Sequence, residues 1–115
     1  MQEKFIKMKT TIGEYLHDLR VQNCMTLTQL GALIGVDSGA LSKIENGKKS
    51  LDVKCLPKIA STFSIDLKSL NAHFISERIA IEIITHECDE SLLGLIEEKI
   101  KLIKEKSLRQ AELKF

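Results

Sequence analysis

The stretch Thr26 to Gly47, TLTQLGALIGVDSGALSKIENG, decides the fold. It reads as two short helices, Leu27 to Ile34 and Ser38 to Glu45, joined by a tight turn. Thr26 and Asp37 are N-cap residue types, whose side-chain oxygens accept bonds from free amides one turn in. Gly35 falls just past the first helix, where a left-handed residue is wanted. Leu30, Leu33, Ile34, Val36, Leu41 and Ile44 supply apolar faces at helical spacing. Gly31 and Ala32 are small enough to let a second helix cross closely.

Two short helices about such a turn have the layout of a helix-turn-helix. The string Val36-Asp37-x-x-x-Leu41-Ser42-Lys43-Ile44-Glu45-Asn46-Gly47 resembles the recognition helix and exit of the Cro and lambda-repressor class, the XRE family. The likeness continues through Leu56-Pro57-Lys58-Ile59-Ala60, Phe63-Ser64-Ile65-Asp66 and Leu70, and covers about residues 11 to 71. It implies an all-α chain: a five-helix lambda-repressor-like DNA-binding domain, here with an extended fifth helix and an additional C-terminal helix. One departure stands out. The family carries Gln directly after the threonine that opens the second helix, where it touches a backbone phosphate; this chain has Leu27 there and Gln29 two places on.

Outward from the motif, residues 1–10 read as an arm, disordered or laid along a phosphate backbone, with Lys4, Lys7 and Lys9 among Phe5, Ile6 and Met8. Thr11-Ile12-Gly13-Glu14 is a capping box that opens a helix over about Ile12 to Asn23, with Ile12, Leu16, Leu19, Tyr15 and Cys24 facing inward. Asp52 caps a fourth helix, about Val53 to Phe63, with Pro57 near its first turn. Asp66 caps a fifth, Leu67 to about Thr85, and a sixth follows over about Glu90 to Ser107 before a fraying tail. The expected domains are thus residues 11–71 for DNA binding and 72–115 as a helical extension. Leu70, Phe74, Ile75, Ile79, Ile81, Ile83 and Ile84 are too many apolar residues for one narrow face of the fifth helix, and Leu92, Leu95, Ile96, Ile100, Leu102 and Ile103 follow on the sixth. A second copy of the chain is the simplest cover for what the two helices leave open, so Phe74, Ile79, Ile83, Leu92, Ile96, Ile100 and Ile103 are the expected dimerisation residues of a homodimer.

Composition narrows the function. With 43% apolar and 29% charged residues, the 115-residue chain suits one soluble domain plus an extension. No tryptophan and few aromatics argue against single strands read by stacking. No apolar run is long enough for a membrane span, and no secretory signal opens the chain, so the expected location is cytoplasmic. Cys24, Cys55 and Cys88 show no C-x-x-C spacing and read as reduced thiols. His17, His73 and His86 show no ligand spacing; no metal, cofactor or small-molecule ligand is expected. Net charge is only +1, but residues 1–63 carry nine Lys/Arg against six Asp/Glu, and residues 64–115 eight against ten. The positive excess lies in the half that holds the motif, as contact with phosphates requires.

The resemblance places base contacts at Ser38, Gly39, Ser42 and Lys43. The set is sparse: lysine can donate to guanine O6 and N7 and serine to either partner, but none is a bidentate arginine, asparagine or glutamine. DNA shape and dimer spacing then carry part of the discrimination. Thr28, Asn46, Lys48 and Lys49 are the candidate phosphate contacts, with Lys54 and Lys58 weaker; the amides at the start of the second helix add to them. Glu45 reads as structural, bonding across to an earlier helix. These residues point to a sequence-specific regulator of transcription on double-stranded DNA, a repressor or autoregulator. Ser76-Glu77-x-Ile79-Ala80-x-Glu82-Ile83 and Glu97-Glu98-Lys99-Ile100 resemble small bacterial regulators found near DNA cytosine methyltransferases, which implies a link to a restriction-modification or similar mobile locus. The rival reading is a protein-interaction module or antitoxin on the same scaffold, which Leu27 favours. No nucleophile–base set, paired carboxylates or phosphate-cradling glycine loop suggests an enzyme.

Overall fold

The computed structural model describes residues 10–113, with side chains through Leu108. The arm expected over residues 1–10 lies outside the described residues except for Thr10. Six α-helices follow one another: α1 Ile12–Gln22, α2 Leu27–Ile34, α3 Ser38–Glu45, α4 Leu56–Phe63, α5 Leu67–Thr85 and α6 Leu92–Leu113. No strand occurs among the described residues.

Each start has a local cause. Thr11 and Glu14 make a reciprocal capping box on α1, and Thr26 and Gln29 make a second on α2. The Asp37 carboxylate accepts from Ala40 N at 2.8 Å to open α3. Asp66 accepts from Ser69 N at 3.0 Å to open α5. The ends share one device. At Cys24, Gly35, Gly47, Ser64 and Glu87 the backbone turns left-handed. The next amide then bonds five residues back: Met25 to Arg20, Val36 to Gly31, Lys48 to Lys43, Ile65 to Ala60, Cys88 to Ile83.

Three boundaries differ from expectation. Val53–Cys55 is a 3-10 turn and α4 begins at Leu56. Pro57 has no N–H to give the Val53 carbonyl, so the α-helical ladder cannot reach back that far. Asp89 binds both the amide and the hydroxyl of Ser91, which holds Glu90 and Ser91 in a turn and delays α6 to Leu92. At its other end α6 continues past Ser107 to Leu113.

The chain divides into two compact units, one ending at Ile79 and the other beginning at Ala80. The first has an aliphatic core: Leu16 from α1, Leu30 and Ile34 from α2, Leu41 and Ile44 from α3, Leu56 and Ile59 from α4, then Ile65, Leu70 and Phe74. Each such side chain contributes roughly 1.5–3 kcal/mol on full burial. The division falls eight residues beyond the expected 71/72 boundary because α5 still serves this core past Asn71. Phe74 is 4% exposed, so it belongs to the core and not to the dimer face expected of it. His73 is equally buried, donates Nε2–H to Thr10 O at 3.1 Å, and leaves Nδ1 without a partner. Glu77 Oε1 accepts from Ile12 N at 2.8 Å, adding a tertiary cap to α1.

The second unit is the reverse case. From Ala80 to Leu108 no residue is buried. Ile83, Leu92 and Ile96 are half-buried, while Ile81, Ile84, Leu93, Leu95, Ile100, Leu102, Ile103 and Leu108 are exposed.

Candidate nucleic-acid interface

The interface is built on α2, the turn and α3. Gly31 sits where a Cβ would lie 2.2 Å from the Val36 carbonyl oxygen. Its smallness admits the turn; it does not admit a crossing helix, and Ala32 is exposed. Leu33 is also turned to solvent, 51% exposed, rather than inward as its spacing suggested. Leu30 and Ile34 already fill the inward stripe of this eight-residue helix. Cys24, expected inward, is exposed because it is the left-handed residue past α1.

Helix α3 is held from behind. Gly13 of α1 lies so close that a Cβ there would meet the Ile44 carbonyl oxygen at 2.3 Å. Arg20 forks onto Glu45, Nε to Oε2 at 2.7 Å and Nη2 to Oε1 at 3.0 Å, and its Nη1 donates to Met25 O at 2.9 Å. The two-pronged geometry fixes orientation as well as distance. His17 Nδ1 lies 2.9 Å from Glu45 Oε1. The Glu45 side chain is 4% exposed, and burial by itself would raise its pKa; hydrogen bonds from Arg20 and then His17 outweigh that and hold it below the ordinary glutamate value. The same pairing raises Arg20. Glu45 therefore bonds to an earlier helix, as its position in the motif suggested. Arg20 and His17 went unrecognised from sequence, since nothing local marks an arginine whose partner is 25 residues away.

The rest of α3 is open to solvent. Ser38, Gly39 and Lys43 are exposed, and Ala40 and Ser42 half-buried. Thr28 is exposed in the first turn of α2, and Lys48 and Lys49 are exposed in the loop that follows Gly47. Asn46 is exposed too, but its Nδ2 donates to Ser42 O at 2.8 Å, so one of its two amide hydrogens is used within the helix end. Lys58, from α4, brings its ammonium over the turn, 3.4 Å from where a Cβ on Gly35 would be. Lys54 is exposed beside Asp52. Leu27 packs against the core, and Gln29 is engaged in the α2 capping box, Thr26 N to Oε1 at 2.9 Å. A groove beside the end of α3 is lined by Glu14, Asp18 and Glu45 together with His17, Asn46 and Gly47. Its carboxylates disfavour phosphate there, whereas Lys43, Lys48 and Lys49 favour a polyanion.

Cys55 is buried, which pushes its thiol pKa up, with Asp52 adding to the effect; Cys24 and Cys88 are exposed free thiols. Among the described residues no three His, Cys, Asp or Glu side chains gather as a metal site, and no helix is long and apolar enough to cross a membrane. The sequence model of a helix-turn-helix family matches residues 16–70. No curated protein and no solved structure matches the chain.

Proposed function

Because residues 16–70 form a helix-turn-helix domain of the Cro and lambda-repressor class, a DNA-binding family, we propose that this chain regulates transcription as a sequence-specific homodimer on double-stranded DNA. The observation that carries the reading is how α3 is held: Leu41, Ile44 and Glu45 are buried, Glu45 on the Arg20 fork, while Ser38, Gly39 and Lys43 are exposed and Ser42 half-buried. Those four are the base-reading positions. Thr28, Asn46, Lys48, Lys49 and Lys58 surround them with phosphate donors. With no bidentate side chain among the base readers, half-site spacing and DNA deformability supply part of the specificity. A repressor or autoregulator acting near its own gene, within a restriction-modification or similar mobile locus, is the biological setting this reading favours.

Footprinting on DNA upstream of its own gene, with salt-dependent binding to that duplex and to random duplex, tests the proposal. A two-fold site with half-site centres about 34–36 Å apart is expected. Affinity falls steeply with salt, and each phosphate contact removed flattens the log–log slope by roughly 0.9. Absence of binding to any duplex at low salt replaces this reading with that of a protein-interaction module.

A further inference from the structure

The fold itself accounts for four of the glycines. A Cβ on Gly13 or Gly31 would run into a backbone carbonyl oxygen at 2.3 or 2.2 Å, and Gly35 and Gly47 hold left-handed φ values of 78° and 77°. Gly39 has no such cause. It lies exposed in the first turn of α3, with a φ outside the left-handed region. A Cβ there would meet the protein only at Asp37 Oδ1, at the ordinary contact distance of 3.4 Å. Alanine would fit and would suit a helix better. Gly94 of α6 also has room for a Cβ, but Glu97 and Glu98 stand three and four residues beyond it. At the same spacing Gly39 has Ser42 and Lys43, which share its face of the helix.

We propose that Gly39 is a specificity-determining position, at which the backbone of α3 packs directly on the 5-methyl group of a thymine in the major groove. This rests on the DNA-binding reading above and names what α3 reads there. Glycine is the residue used where a backbone must come close to a ligand. The chemistry of the slot narrows the ligand further. Gly39 has no side chain with which to bond a base edge. The Asp37 carboxylate stands at the rim, where it accepts from Ala40 N at 2.8 Å, and it repels phosphate. What the slot admits is an uncharged apolar projection, and the thymine methyl is the one that duplex DNA displays in its major groove. Ser38 and Ser42 are short enough to leave the Cα of Gly39 within reach. Lys43 is long enough to donate past it to a neighbouring base pair.

Fluorescence anisotropy with the full chain and the duplex located by footprinting tests the idea. Each thymine of a half-site is replaced in turn by deoxyuridine, which removes only the methyl. At one position the replacement weakens binding of the native chain about fourfold per half-site, the worth of one buried methyl. Gly39→Ala places a methyl in the same space and weakens binding to the thymine duplex about tenfold, as overpacking does. Deoxyuridine at that one position then restores most of the loss, because one methyl takes the place of the other. Thermal unfolding of Gly39→Ala shows a midpoint no lower than that of the native chain, so the weakened binding reports contact and not misfolding. A lowered midpoint means that the fold itself needs the glycine, and overturns the inference. So does a Gly39→Ala variant that binds the thymine duplex as the native chain does, or one whose loss no deoxyuridine position restores; in both cases the DNA-binding reading stands. Absence of binding to any duplex at low salt removes that reading itself.

Discussion

At the scale of single residues, the Arg20–Glu45 pair decides how α3 is presented. Removing Arg20 leaves a carboxylate that is almost wholly buried, so Arg20→Ala should cost about 3 kcal/mol in urea unfolding, in line with other broken buried pairs. His17 is half exposed on the same carboxylate, and His17→Ala should cost under about 1 kcal/mol. The pair also sets an acid limb. Glu45 has a folded pKa below its unfolded value of about 4.3, so the unfolded chain binds more protons between the two. Its contribution is present above the unfolded pKa and lost as pH falls through the folded one. Urea midpoints followed downward from pH 6 should therefore decline through that window, and less steeply in Glu45→Gln. Gly13→Ala is the steric counterpart. Its Cβ would overlap the Ile44 carbonyl, and relief requires α1 and α3 to separate, at a cost of about 2–3 kcal/mol together with weakened DNA binding.

At the scale of elements, the five left-handed helix ends are of unequal quality. Gly35 and Gly47 adopt the conformation without penalty, while Cys24, Ser64 and Glu87 adopt it with a side chain that costs roughly 1 kcal/mol. Ser64→Gly should raise stability by about 0.5 kcal/mol, part of the relief being offset by glycine's extra entropy in the unfolded chain; thermal unfolding measures it. Helix α3 and the loop after it divide the proposed function. Lys43→Ala should relax base preference, whereas Lys48→Ala with Lys49→Ala should weaken all duplexes alike and flatten the salt slope. Equal weakening of every sequence by Lys43→Ala reverses that assignment of roles.

At the scale of the whole molecule, α5 belongs to both units. Its first half closes the first core through Leu70, His73 and Phe74, and Glu77 caps α1. A chain ending at Ile79 should unfold cooperatively as a monomer with full-length α-helical ends for residues 12–70. One ending at Asn71 forfeits Phe74, worth about 3 kcal/mol alone, the Thr10 bond from His73 and the Glu77 cap. Against a typical domain stability of about 5–15 kcal/mol, the shorter chain should be largely lost to unfolding at physiological temperature. Denaturant curves on the two truncations decide it.

The sequence by itself determined the helices and the motif. Thr11, Thr26, Asp37 and Asp66 start helices through bonds spanning three residues, and periodic leucines and isoleucines mark the inward stripes; both signals are local. The exposure of Ser38, Gly39, Lys43, Lys48 and Lys49, residues proposed to meet DNA, followed for the same reason, since α3 and its loop are contiguous in the chain. What depends on distant partners was decided only by the tertiary structure. The Arg20–Glu45 fork joins residues 25 apart and the Glu77 cap joins residues 65 apart. Phe74 has the same spacing pattern as the exposed isoleucines after it; only the presence of a core beneath it, and the absence of one beneath Ile81 and Ile84, sets them apart. Leu33 is exposed because two neighbours had already filled the one stripe that a short helix can bury. A side chain's neighbours across space, unlike those along the chain, are fixed when helices pack.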